Sequence, residues 1–184
     1  MGVRDHHETC CELTWASTLR ILRATLTDHR RHDVRFQLPD EAFAMDAEER
    51  TRRVLEAPGE VGFVSVRDVG EFIRVLLPVK LDDGELVFGV WVRVSKAVAA
   101  DAWQKWFSDA YGSLELRGEL ANALAPWGAA IRGADVVARV RAENERPYVL
   151  ESGHPLLARI LTETWPSAEL LAAMPRQHHT LPSD

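Results

Sequence analysis

Four side chains able to bind a metal crowd the start of the chain: His6, His7, Cys10 and Cys11, within HHETCC. Zinc accepts imidazole nitrogens and thiolates in a tetrahedral shell. Adjacent cysteines seldom both reach one ion, however, and no second ligand pair follows at metal-site spacing. The four residues stand as weak metal candidates against the plainer reading of a frayed terminus leading into a helix, and no cofactor is expected. Cys10 and Cys11 are the only cysteines, so no disulfide framework can form, and reduced thiols in a reducing compartment are the expected state. His178 and His179 could chelate as a pair, but they sit in a polar tail.

Nucleophilic catalysis needs a Ser or Cys beside a base. The one close Ser/His pair is Ser152-Gly153-His154. It lies outside any G-x-S-x-G elbow and directly before Pro155, where capping of a helix with Pro at its first turn accounts for both residues. There is no P-loop and no G-x-G-x-x-G fingerprint. No catalytic residue is assigned. The binding candidates are aromatic and basic. Trp91 and Arg93 share one face of a strand, Trp127 sits in a Pro-Trp-Gly loop, Arg139 lies on the polar side of a later strand, and His154 opens a helix. Exposed Trp and Arg are favoured at protein-docking hot spots. The competing reading covers Trp91 with a helix and folds Trp127 over the rim of the core.

These residues must be placed by a chain of 184 residues, 46% hydrophobic, with formal net charge −6. That length fits one α+β domain spanning 1–184, with mobile tails at about 1–10 and 176–184. The acidic balance argues against nonspecific binding to nucleic acid or an anionic membrane. No apolar run approaches the length of a membrane span, and the N-terminus has no hydrophobic signal region, so a cytoplasmic protein is expected.

The organising stretch runs from Gly84 to Phe107. Leu86, Phe88, Val90, Val92 and Val94 alternate with Val87, Gly89, Trp91, Arg93 and Ser95, the period of a strand with one apolar face and one mixed face. After Ser95, a plausible N-cap, the period turns helical. Val98, Ala102 and Trp106 form one row, and Ala99, Trp103 and Phe107 the next. The spacing predicts a tightly docked helix whose three large aromatics are each worth about 2–3 kcal/mol on burial.

Earlier in the chain, Cys11, Trp15, Leu19, Leu22 and Leu26 predict a helix over 12–27, and DHRRHDVR (28–35) reads as a solvated loop that could also contact phosphate. Asp46 with Glu49 predicts a helix start of the capping-box kind, running to about Ala57. Strands are expected over 61–66 and 72–81, the second interrupted by Pro78 and so near an edge or a bulge. Together with the organising strand they form a meander. Further strands are expected over 114–121, 134–142 and 147–151, then a helix from Pro155 and a short last helix after Trp165. The whole predicts a mainly antiparallel sheet of about five or six strands packed against helices.

Several blocks together resemble a bacterial family known as domain of unknown function 2199. LPDEAFAMDAEER, GEFIRVLLPVKLDDGELVFGVWVRVS, GELANALAPWG and ADVVARVRAENERPYVLESGHPL carry the resemblance over roughly 38–170. Members often begin with a Cys-x-x-Cys-Gly segment followed by His, like half a zinc ribbon. This chain has ETCCELTW there instead. The resemblance implies a fold and no reaction. Two functional readings follow. One is a non-enzymatic protein-binding module of regulatory or immunity-like type, acting through a protein partner. The alternative is a small-molecule-binding protein or enzyme with a pocket between sheet and helices, using Arg93, His154 and Arg139. Oligomeric state is left open.

Overall fold

Strand β6 (Gly84–Val94) runs antiparallel to β5 (Gly70–Leu81) for almost its full length, from Lys80 opposite Glu85 to Glu71 opposite Val94. The computed structural model describes residues 19–22, 30–57, 62–142 and 145–174. β7 (Glu115–Leu120) takes the other edge of β6 only at Val92 and Arg93. β8 (Asp135–Arg139) pairs with β7, and β9 (Tyr148–Glu151) with β8, both antiparallel. β9 then lies parallel to β5, Tyr148 opposite Leu76. The ring β5-β6-β7-β8-β9 is closed, a five-stranded mixed barrel with extra strands. The expected α+β class holds. The pairing is mainly antiparallel, as expected, but the expected open sheet of about five or six strands is corrected to a closed ring with extra strands, ten strands among the described residues with three parallel pairings.

The extra strands follow from edges that the ring leaves open. Because β7 covers only the end of β6, the stretch Gly84–Gly89 is free to pair. β2 (Arg30–Phe36) fills it in parallel, and β1 (Leu19–Leu22) adds antiparallel to β2. Two expectations fail here. Residues 19–22 are strand where the 12–27 pattern predicts helix, and 30–36 are strand where a solvated loop is expected. Val34 and Phe36 bury their side chains while Arg35 stays exposed. That is strand alternation, too short beside six polar neighbours to be read from sequence. On the far side of the ring, β4 (Phe63–Val66) pairs with β5 and β3 (Val54–Glu56) with β4, leaving β3 as the last strand of the sheet. The β4-β5-β6 meander is as expected. β10 (Thr164–Trp165) joins β5 in parallel at Lys80–Leu81. Pro78 falls between the β9 and β10 contacts. Its ring nitrogen shares an edge with the Leu76 N–H, which donates to the Pro147 carbonyl, so the missing donor removes no bond to β6.

The ring's inner face is the core. Ile73, Val75, Leu77 and Val79 on β5 meet Val92, Val90, Phe88 and Leu86 on β6, and Leu116, Leu120, Val136, Ala138 and Val149 complete the lining, all with almost no exposure. α1 (Asp40–Phe43) and α2 (Ala47–Arg53) precede β3. The Asp46 side chain accepts the Glu49 N–H at 2.7 Å, as the capping signature predicts. α3 (Lys96–Trp106) packs on β5 and β7, its N-cap Ser95 accepting the Val98 N–H at 3.2 Å. α4 (Pro155–Thr162) buries Leu157 and Ile160 against β5 and β9, and α5 (Ser167–Ala172) follows β10. No helix among the described residues is long and apolar enough to cross a membrane.

Candidate functional site

The residues singled out by sequence separate into distinct surroundings. Trp91 is 3% exposed. Its Nε1–H donates to the Phe36 carbonyl at 3.1 Å, and the Arg74 guanidinium lies 4.5 Å above its ring. The indole belongs to the interior, with the end of β2 and Arg74 against it. Arg93 does reach solvent, ion-paired with Glu119. Trp127 is half-buried, edge-on to Phe88 at 6.3 Å and to Trp165 at 5.2 Å. Arg139 bridges strands on the outer face of the ring, to Glu115 at 2.8 Å and Glu151 at 3.2 Å. The Arg139 bond holds the Glu115 carboxyl below its ordinary range, with Arg117 adding to the effect. His154 is the N-cap of α4, its Nδ1 accepting the Leu157 N–H at 3.4 Å, while Ser152 donates to the Asp135 carbonyl at 2.6 Å. Among the described residues, Arg93, Arg139 and His154 share no partner. His6, His7, Cys10, Cys11 and the two tails lie outside the described residues, and among the described residues no three His, Cys, Asp or Glu side chains gather as a metal site.

Around Arg93 is a cleft of about 380 Å³ lined also by Glu41, Glu119 and Arg132. Its charges are paired among themselves, Arg93 with Glu119 and Arg132 with Glu41 at 3.1 Å. Beneath it lies a polar knot. Asn122, fully buried, accepts the Trp91 N–H at 2.8 Å and donates to the Leu38 carbonyl at 3.1 Å and to Asp40 Oδ1 at 2.9 Å. Asp40 Oδ2 accepts the Ala123 N–H at 2.9 Å. Burial pushes the Asp40 carboxyl above its ordinary range, against the opposing pull of Asn122, Ala123 and Arg132. The knot ties β6 to the chain before α1, and the sequence gives no sign of it, because Asn122 reads as one more loop residue.

The feature that sequence reasoning placed on the wrong side of the surface is the aromatic face of α3. Trp103 and Phe107, expected in the core, are 43% and 65% exposed, and Leu55 on β3 is 61% exposed. The row Val98–Ala102–Trp106 turns inward, Ala102 fully. The neighbouring row carries its large members past the edge of the ring. Phe63 supports them edge-on, 5.2 Å from Trp103 and 4.9 Å from Trp106, and Trp103 meets Phe107 at 5.4 Å. Between α3 and the β3-β4 hairpin runs a groove of about 390 Å³ whose walls include Leu55, Ala57, Phe63, Phe72 and Trp103, with Glu56 and Glu71 at its polar margin.

A family model described as "Uncharacterized protein conserved in bacteria (DUF2199)" matches residues 26–161. The chain belongs to that family, as the strand–turn–strand block and the ESGHPL run suggest. The match starts at residue 26, ahead of β2, so it takes in all of that strand and begins earlier than the resemblance alone indicates. No curated protein and no solved structure matches the chain.

Proposed function

We propose that this DUF2199 member is a protein-binding module that takes an extended partner segment into the groove between α3 and β3. The observation that carries the reading is the exposure of Leu55 and Trp103 on the walls of an apolar groove, extended by Phe107, which is exposed beside Trp103. Large aromatics left in water beside a concave apolar surface are typical anchors of binding. β3 adds a second element of recognition. Its inward bonds to β4 run through Arg53 and Ala57, so the backbone of Glu56 faces away from the sheet. An added strand can take such an edge, with alternate side chains entering the groove. Glu56 and Glu71 favour a segment with Lys or Arg beside its apolar anchor. The Arg93 cleft supports a small-molecule reading less well, because its carboxylates and guanidinium groups already neutralise one another.

Peptide display against the purified protein tests the reading. Enrichment of sequences with one large apolar residue flanked by basic ones, lost with Leu55→Ser or Phe107→Ser, is the expected result. Enrichment of nothing, or of peptides that bind both variants as well as the parent, would overturn it.

A further inference from the structure

On the opposite electrostatic footing is a second groove, of about 210 Å³, on the outer face of the sheet. One row of residues crosses four strands beneath it: Arg35 on β2, Gly89 on β6, Leu76 on β5 and Tyr148 on β9. Gly89 makes the trough. A Cβ there would come within 3.3 Å of Arg35 Cγ, so the Arg35 stem lies across the open backbone. Arg74 and Arg146 wall the groove beside Arg35. Gly62 sets the last two side by side, since a Cβ on it would meet Arg74 Cβ at 3.1 Å and Arg146 Nε at 3.2 Å, and its φ of +84° suits glycine.

We propose that this groove binds a small organic anion, a carboxylate or phosphate ester with an apolar body. Arginines from three separate elements line the groove. Arg74 is held in place before any ligand arrives. Its Nη2 donates to the Phe36 and Gln37 carbonyls at 2.9 and 3.0 Å, and its plane rests on Trp91. Arg35 is exposed, and its side chain makes no hydrogen bond or ion pair with another described residue. Asp33 and Glu145 also line the groove, and Asp33, Arg74 and Arg146 each have partners of their own, so Arg35 is the cation that a bound anion would newly pair; Arg141 stacks 4.3 Å over Tyr148 nearby. Planar guanidinium forks match carboxylate and phosphate oxygens. The floor of Leu76, Val87 and Gly89 is apolar and takes the uncharged part of the ligand. The volume falls below the range of about 300–1,000 Å³ usual for drug-sized ligands, so the occupant is small. Because the whole chain carries −6, the overall field repels anions, and saturable anion binding requires a local site of this kind.

Calorimetric titration with phenyl phosphate, benzoate and inorganic phosphate tests the assignment, and the first two distinguish a phosphate from a carboxylate head. Saturable binding of phenyl phosphate or benzoate is expected, weakened about tenfold or more by Arg35→Gln, with the variant's melting temperature unchanged. No saturable binding of either up to about 10 mM, a concentration that would reveal even millimolar affinity, would overturn it. So would equal affinity of Arg35→Gln and the parent. Inorganic phosphate binding as tightly as phenyl phosphate would remove the organic body from the proposal. None of these outcomes touches the aromatic groove at α3, whose test uses different residues and a different ligand.

Discussion

β6 and α3 follow one another across a single capping residue, yet solvent treats them in opposite ways. From Leu86 to Val92 every residue of β6 is buried, on both faces. In α3 only Ala102 is buried, and Trp103 leaves much of its ring in water, as does Phe107 just past the helix end. Sequence patterning predicts nearly the reverse, a strand with one half-covered face and a helix sunk into the core. The difference separates two uses of aromatic residues. Inside β6, Phe88 and Trp91 are held by neighbours that the fold itself supplies. On α3, Trp103 and Phe107 are supported by Phe63 and by each other, and their outer surface meets solvent.

The comparison predicts its largest effect at Phe88. Fully buried opposite Leu77 and edge-on to Trp127, it fills the middle of the ring. Phe88→Ala should cost about 3–5 kcal/mol in denaturant unfolding. A loss under about 1 kcal/mol, the scale of a surface change, would show that β6 is not the centre of the core.

Next comes Asn122, which joins β6 to the segment before α1. Asn122→Ala leaves the buried Trp91 N–H without its acceptor and should cost about 1–3 kcal/mol. A pH signature distinguishes this from simple loss of packing. The folded Asp40 carboxyl is already above its ordinary range through burial. A raised carboxyl pKa means that Asp40's own contribution is favourable on the acid side and is lost as pH rises through the folded value. Asn122 opposes that shift by bonding the ionised form. Its removal should therefore move the Asp40 titration further up, read by carbonyl NMR, and the penalty should shrink as pH falls through that titration. A penalty independent of pH, with Asp40 titrating as in the parent, would show that the Asn122–Asp40 bond carries no weight.

Sequence made the middle of the molecule legible and its margins much less so. The β4-β5-β6 meander, the Asp46, Ser95 and His154 helix starts and the inner face of β6 could all be read, because each rests on local period or capping chemistry. Closure of the ring could not. It depends on the pairing of β5 with β9 at Leu76 and Tyr148, far apart in the chain. β2 was missed because it exists to fill an edge that β7 leaves open, a fact of the tertiary arrangement and not of DHRRHDVR. Among the site residues, the capping role of His154 was visible from Pro155. The exposure of Trp103 was hidden, since an apolar helical stripe looks the same whether its barrel covers two rows or one.

The smallest expected effect on stability is also the one that divides the two aromatic populations most sharply. Phe107→Ser removes a ring that is 65% exposed and touches Trp103 edge-on. If the α3 face is held in reserve for a partner, unfolding should change by no more than about 0.5 kcal/mol, as for a surface substitution, while capture of peptides by the groove falls. Trp103 stays supported by Phe63 in the variant, so the remaining wall keeps its shape and the loss of binding belongs to the missing anchor. Should Phe107→Ser cost as much as Phe88→Ala, the ring would be part of the folding core after all. The contrast between β6 and α3 would then collapse, and the docking reading would lose the observation on which it stands.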